Sequence, residues 1–146
     1  MLKYTDMKTP ELDVIGRVEK ADFPELGIID VPVKIDTGAY SSSIWAHKIE
    51  VIGKKLYVEF FAPTSRFYTG KEFVFSPSEY KTTCVTNSFG HREKRYKVKL
   101  RINLNGKLIR GTFTLSSNRG IHRYKVLIGR KLLKGKFLVD VKTRGV

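Results

Sequence analysis

In the stretch VKIDTGAYSSSIWAHKIE, residues 33–50, Asp36 ends an apolar run and is followed by a threonine and a glycine. Val33 and Ile35 before it, and Ile44 and Trp45 after it, set this carboxylate beside a core. Burying an isolated charge is expensive, so the position needs a chemical reason. Other side chains able to do chemistry are few. His47, His91 and His122 are too far apart in sequence to form a local ligand set, and nothing beside Cys84 identifies a base that would activate it. There is no glycine-rich phosphate loop with its lysine, no H-E-x-x-H and no paired C-x-x-C. Nucleotide hydrolysis and the commonest zinc sites therefore lack their signatures, and neither a metal nor another cofactor is expected.

The remaining chemistry is cationic. Lysine and arginine number 28 against 14 acidic residues, a formal net charge of +14. The densest basic run is HREKRYKVKLR, residues 91–101, and a second cluster runs from Arg119 to Lys136. A field of this sign favours polyanionic partners, whereas a single lysine on a strand serves equally well to keep a sheet edge from aggregating.

The elements that must position these groups are short and β-like. DVIGRVE, VPVKID, KLYVEFF, EFVF, YKVKLRINL, LIRGTFTL, YKVLIG and KFLVDV read as strands, separated by turn signals such as Phe23-Pro24. The clearest hairpin turns at Asn105-Gly106, the preferred pair for a type I′ turn. Val98, Leu100, Ile102 and Leu104 would share one face of its first strand, and Lys97, Lys99, Arg101 and Asn103 the other. One helix is expected, in GRKLLKGK around residues 129–136, with Leu132 and Leu133 inward and Gly135 ending it. The fold class is all-β, mainly strands with one short C-terminal helix, closed or folded over as a small barrel. With 41% hydrophobic residues and no linker or repeat, residues 1–146 are expected to form one domain with its core at about 14–141, without metal or disulfide. Cys84 has no second cysteine to pair with. No segment approaches the roughly 18 apolar residues that span a bilayer, and no basic start joins a long apolar run, so a cytoplasmic protein without membrane contact is expected.

Asp and Gly are common at strand-to-turn junctions for backbone reasons alone. Here a second element accompanies them. Asp36-Thr37-Gly38-Ala39 after VKI resembles the active-site loop of retropepsin-type aspartic proteases, and KVLIGRKLL, far downstream, resembles the apolar-apolar-Gly strand and helix that close the same unit. IGRVEKADFPELGI, VKIDTGAYSSSIWA, VTNSFGHREKRYKVKLRINLNGK and LIGRKLLKGKFLVDV together, over most of residues 14–141, are similar to the bacterial and archaeal RimB-like family labelled ATP-dependent zinc protease. That family is often associated with ATP-grasp glutamate ligases that modify a ribosomal protein. The chain carries neither an ATP loop nor a zinc motif, so the retropepsin likeness accounts for Asp36 better than the label does.

The resemblance implies a retropepsin-like barrel, one lobe per chain, and a homodimer. In aspartic proteases two adjacent carboxylates share one proton, one acting as base on water and the other as acid toward the carbonyl. Asp13, Asp30 and Asp140 lack a following Thr-Gly or Ser-Gly, so the second carboxylate must come from a second chain. By the family pattern Asp36, Thr37 and Gly38 are the catalytic loop, with Ala39, Ser41 and Ser42 beside the substrate. A lid is expected in residues 60–75 or in the turn TNSFGHREKRY, residues 86–96, the second being favoured. Gly90, His91, Arg92 and Arg95 in that turn, with Arg119 in another loop, are the candidates for holding an acidic peptide, such as a glutamylated ribosomal protein. The alternative is a non-catalytic basic barrel that binds RNA or ribosomes, using the 97–103 face for phosphates and Tyr40, Phe89 or Tyr96 for bases.

Overall fold

The computed structural model describes residues 12–86 and 89–145. Two short strands, β1 (Asp13–Ile15) and β2 (Val18–Phe23), come first, and a 3-10 turn at Pro24–Leu26 then leads into β3 (Ile28–Ile35). DVIGRVE, expected as one strand, is thus broken at Gly16-Arg17. A Cβ at Gly16 would lie 2.6 Å from the Thr143 carbonyl oxygen, so the chain bends where the C-terminal segment crosses it. Next come β4 (Ser42–Ile52), β5 (Lys55–Phe60), β6 (Phe73–Phe75) and β7 (Tyr80–Thr86). Then β8 (Arg92–Leu104) and β9 (Lys107–Ser116) pair as the expected hairpin, a second 3-10 turn spans Asn118–Ile121, and β10 (Val126–Ile128), α1 (Arg130–Leu133) and β11 (Phe137–Val139) close the chain.

The sheet closes on itself. Strands β10, β3, β2, β8, β9 and β4 form a ring of six, because β10 pairs with β3 on one side and β4 on the other. Outside the ring β5 and β6 extend from β4, β7 pairs only with β8, and β1 and β11 form a separate parallel ribbon. The all-β, retropepsin-like barrel expected from the sequence is what the chain forms.

Alternation fills the barrel. Val98, Leu100, Ile102 and Leu104 are buried while Lys97, Lys99, Arg101 and Asn103 lie outward, and Asn105 and Gly106 both take the positive φ of the tight turn, 52° and 77°. Phe23, Val33, Ile44, Phe113, Val126 and Ile128 are completely buried, and Phe23 meets Phe113 edge to face at 5.7 Å. Each such side chain stabilises the fold by about 1.5–3 kcal/mol. Two strands escape the sequence reading. In β4 the polar Ser42 is buried next to Ile44, Trp45 and Ala46, which blurs the two-residue period. In β7 no residue is buried, since it lies outside the barrel with only β8 as neighbour. The helix is one turn, shorter than the expected 129–136, and Gly135 at φ 74° follows it.

Among the described residues, no helix is long and apolar enough to cross a membrane.

Candidate active site

Asp36 sits where three strands meet. β3 runs into it, β4 leaves six residues later, and β10 lies between these two consecutive strands, so the loop 36–41 must pass over the end of β10. The main chain holds that crossing tightly. Asp36 N–H donates to the Ile128 carbonyl at 2.9 Å, Arg130 N–H to Ala39 at 2.8 Å and Lys131 N–H to Tyr40 at 3.0 Å. Gly38 N–H donates to Asp36 Oδ1 at 3.1 Å, turning that oxygen back into its own loop, and Ala39 N–H closes the turn on the Asp36 carbonyl at 3.2 Å.

Two residues of the KVLIGRKLL element, Gly129 and Arg130, make this crossing possible. A Cβ on Gly129 would stand 2.5 Å from the Ser41 carbonyl oxygen and 2.7 Å from that of Tyr40, so only glycine lets β10 pass under the loop. Arg130 Nη1 donates to the Thr37 carbonyl at 3.0 Å, and its guanidinium lies 5.9 Å from the Tyr40 ring centroid. The signal available was the Gly-Arg pair in KVLIGRKLL; the partners it touches lie too far away in sequence to be named from spacing.

Thr37, Gly38 and Ser41 are exposed, and Asp36 and Ala39 half-buried. Ser42 departs from its expected place beside the substrate. It is 2% exposed and its Oγ accepts the Gly129 N–H at 3.0 Å, so it supports the crossing from within.

Arg119 joins Asp36 in space. Its guanidinium donates to the Tyr124 carbonyl through Nε (3.3 Å) and a terminal nitrogen (3.2 Å). Burial pulls its pKa down, the Asp36 carboxylate opposes that, and the Arg95 guanidinium adds to it. Asp36, Arg95 and Arg119 therefore share one electrostatic neighbourhood. The turn carrying Arg119 is seated on the core: a Cβ at Gly120 would meet the Trp45 ring at 2.7 Å, and Lys125 Nζ, 5.3 Å from a Trp45 ring centroid, donates to the Gly120 carbonyl at 2.6 Å.

Of the two lid segments, residues 60–75 are pinned down. Phe61 and Phe67 pack at 5.9 Å, Tyr68 hydroxyl donates to Glu59 at 2.5 Å, and Lys48 pairs with Glu72 at 2.5 Å. The other extends beyond the pairing of the barrel strands at its described end. β8 pairs with β9 only from Lys97 onward, whereas Arg92 to Tyr96 pair with β7 alone, so this end of the hairpin projects past the barrel wall. Gly90 takes φ 81°, and Gly90, His91 and Arg92 are exposed; Arg95 is half-buried and pairs with Glu93 at 3.3 Å. Asn87 and Ser88 of this segment lie outside the described residues.

The other reactive side chains are dispersed. His47 Nδ1 contacts the Phe61 carbonyl at 2.5 Å, Cys84 is exposed on β7, and His122 follows the 118–121 turn. Among the described residues, no three His, Cys, Asp or Glu side chains stand close enough to hold a metal ion. The aromatic residues suggested for base stacking are unequal: Phe89 is 84% exposed, but Tyr96 packs edge-on against Tyr80 at 5.9 Å.

Residues 14–146 match the RimB-like family, described as retropepsin-like aspartic endopeptidase RimB. The chain belongs to this family. Two curated relatives, each named "Probable alpha-L-glutamate ligase", are 29% identical over 129 residues (Desulfotalea psychrophila) and 30% over 132 residues (Shewanella pealeana). Each match covers 87% of this chain but 28% of the relative, so the chain spans little more than a quarter of these proteins. A solved structure, a Legionella pneumophila protein of unknown function, matches with a TM-score of 0.67 at 25% identity, covering 90% of this chain and 95% of that one.

Proposed function

We propose that two copies of this chain form an aspartic peptidase whose Asp36 carboxylates meet on a two-fold axis and activate water against a peptide or isopeptide bond in an acidic protein tail. The observation that carries this reading is the crossing over β10, which presents a half-buried Asp36 from a loop held by main-chain bonds at both ends. Two carboxylates brought together cannot both ionise, so one takes the proton from water while the other protonates the carbonyl oxygen. One chain supplies one such loop, and the pair requires a partner. Exposed apolar side chains offer a surface for it: Ile121 in the turn after Arg119 is 91% exposed, and Val14 and Leu138 on the β1–β11 ribbon are 60% and 54% exposed.

The projecting β7–β8 hairpin serves as the lid, and its arginines, with Arg119, attract carboxylates. A glutamate-rich tail, such as a glutamylated ribosomal protein in the cytoplasm, fits this field, and relatives named for glutamate ligation point the same way. The test is Asp36→Asn, which keeps size and fold but cannot relay the proton. Incubation with glutamate-rich peptides, read by mass spectrometry, should show cleavage by the wild type and none by the variant. Undiminished cleavage by a folded Asp36→Asn protein would end the reading.

A further inference from the structure

The outward basic face of β8 is not used by the catalytic loop, and it does not lie on an open surface. Two cavities, of about 510 and 150 Å³, adjoin along the outside of the β8–β9 hairpin and share Lys97, Arg110, Thr112 and Lys131 in their walls. The smaller reaches Tyr40, Ser41 and Ser42, the continuation of the Asp36 loop, and the larger runs to Glu79, Tyr80 and Lys81 at the root of the hairpin. Together they form a trough between α1 and the start of β7.

Its charge is one-sided. Lys81, Lys97, Lys99, Arg110, Lys131 and Lys136 line it against two acidic residues, Glu25 and Glu79. Both acids accept backbone donors, Glu25 the Arg101 N–H at 2.6 Å and Glu79 the Ser76 N–H at 2.9 Å, and the Arg110 charge also acts on Glu79. Among the described residues, none of the six cations forms a close ion pair. Six cations gathered in a concave wall with two counter-charges leave a net positive field that an anionic chain neutralises.

We propose that this trough is a docking site for the acidic polypeptide that continues from the bond being cut, binding its carboxylates away from the catalytic loop. The occupant is named on the strength of the peptidase reading, and the trough's wall favours it over RNA. The trough offers more charge than open ring face: Tyr80 is packed against Tyr96 and donates its hydroxyl to the Lys54 carbonyl at 2.7 Å, Phe75 is half-buried, and Tyr40, though exposed, has Arg130 over one face of its ring. RNA binding of single strands draws on such faces for base stacking. Successive outward lysines on a strand stand about 6.7 Å apart, as do alternate carboxylates of an extended acidic peptide.

The test compares Arg110→Glu/Lys131→Glu with the neutral Arg110→Gln/Lys131→Gln, each made with and without Asp36→Asn. In the Asp36→Asn background, calorimetry with poly-L-glutamate at low salt should show binding weakened roughly tenfold by the Gln pair and further by the Glu pair. With Asp36 intact, KM for a long glutamate peptide should rise several-fold more than KM for a short one. Unchanged poly-L-glutamate affinity in both folded double variants would overturn the proposal. So would a single-stranded RNA that binds the wild type more tightly and displaces poly-L-glutamate. Poly-L-glutamate binding that depends on Arg110 and Lys131, with no cleavage by the wild type, would support the trough and remove the peptidase reading instead.

Discussion

A carboxylate beside a core is tolerated only where neighbours engage it, and the chain meets that demand at Asp36 with one donor from its own loop, Gly38 N–H, and with Arg119 nearby. The same logic operates on the far side of β4, where Glu59 accepts the Tyr68 hydroxyl at 2.5 Å with His47 and Lys48 close by. The Tyr68 hydroxyl, more than the nearby charges, holds the Glu59 carboxyl below its ordinary range, and the same bond raises the Tyr68 pKa. A depressed carboxyl contributes stability above its unfolded pKa and loses it as pH falls through the folded value. A raised phenol contributes below its unfolded pKa and loses it as pH rises through the folded one. Tyr68→Phe should therefore lower the melting temperature at neutral pH and flatten the wild type's decline on the acid side. Melts across a pH series check this, and parallel curves for the two proteins would refute it.

At the scale of elements, the crossing of loop 36–41 over β10 is the feature on which the site depends. Gly129→Ala would push a methyl group into the Ser41 and Tyr40 carbonyls at 2.5 and 2.7 Å, both backbone atoms that cannot rotate away. Overpacking of this kind costs about 1–3 kcal/mol. The expected outcome is a lower midpoint in denaturant and a loss of peptidase activity beyond the unfolded fraction. Gly38→Ala is the milder comparison, because its Cβ would approach only Asp36 Oδ1, at 3.3 Å. If Gly129→Ala were as stable and active as Gly38→Ala, the crossing would not be setting the position of Asp36.

For the whole molecule, charge and the proposed symmetry pull in opposite directions. Each chain carries +14, so the proposed dimer would have to associate against its own repulsion. On that reading one chain holds half of a carboxylate pair, and specific activity should fall on dilution. Added salt should shift that fall to lower protein concentration, since repulsion is screened over about 8 Å at physiological ionic strength. The same salt should weaken capture of an acidic peptide and spare a neutral one. Sedimentation alongside kinetics tests both, and a monomer with full activity at high dilution would rule out the shared pair.

The all-β class, the β8–β9 hairpin with its Asn105-Gly106 turn, and the Asp36 loop with its KVLIGRKLL counterpart are legible in the amino-acid order. These are written in local terms: a two-residue period, a turn pair, a short motif. The rest depends on long-range packing. β4 was hidden because burial of Ser42 follows from a bond to Gly129, distant in sequence, and β7 because an outlying strand needs no apolar face. That Arg119 shares a neighbourhood with Asp36 and Arg95, while residues 60–75 are pinned as wall, depends on which strands close the barrel. The basic face of β8 was legible as a stripe, but only the packing of α1 and the root of β7 around it makes a trough. Alternation specifies which side of a strand faces water; what stands across from that side is set by long-range packing.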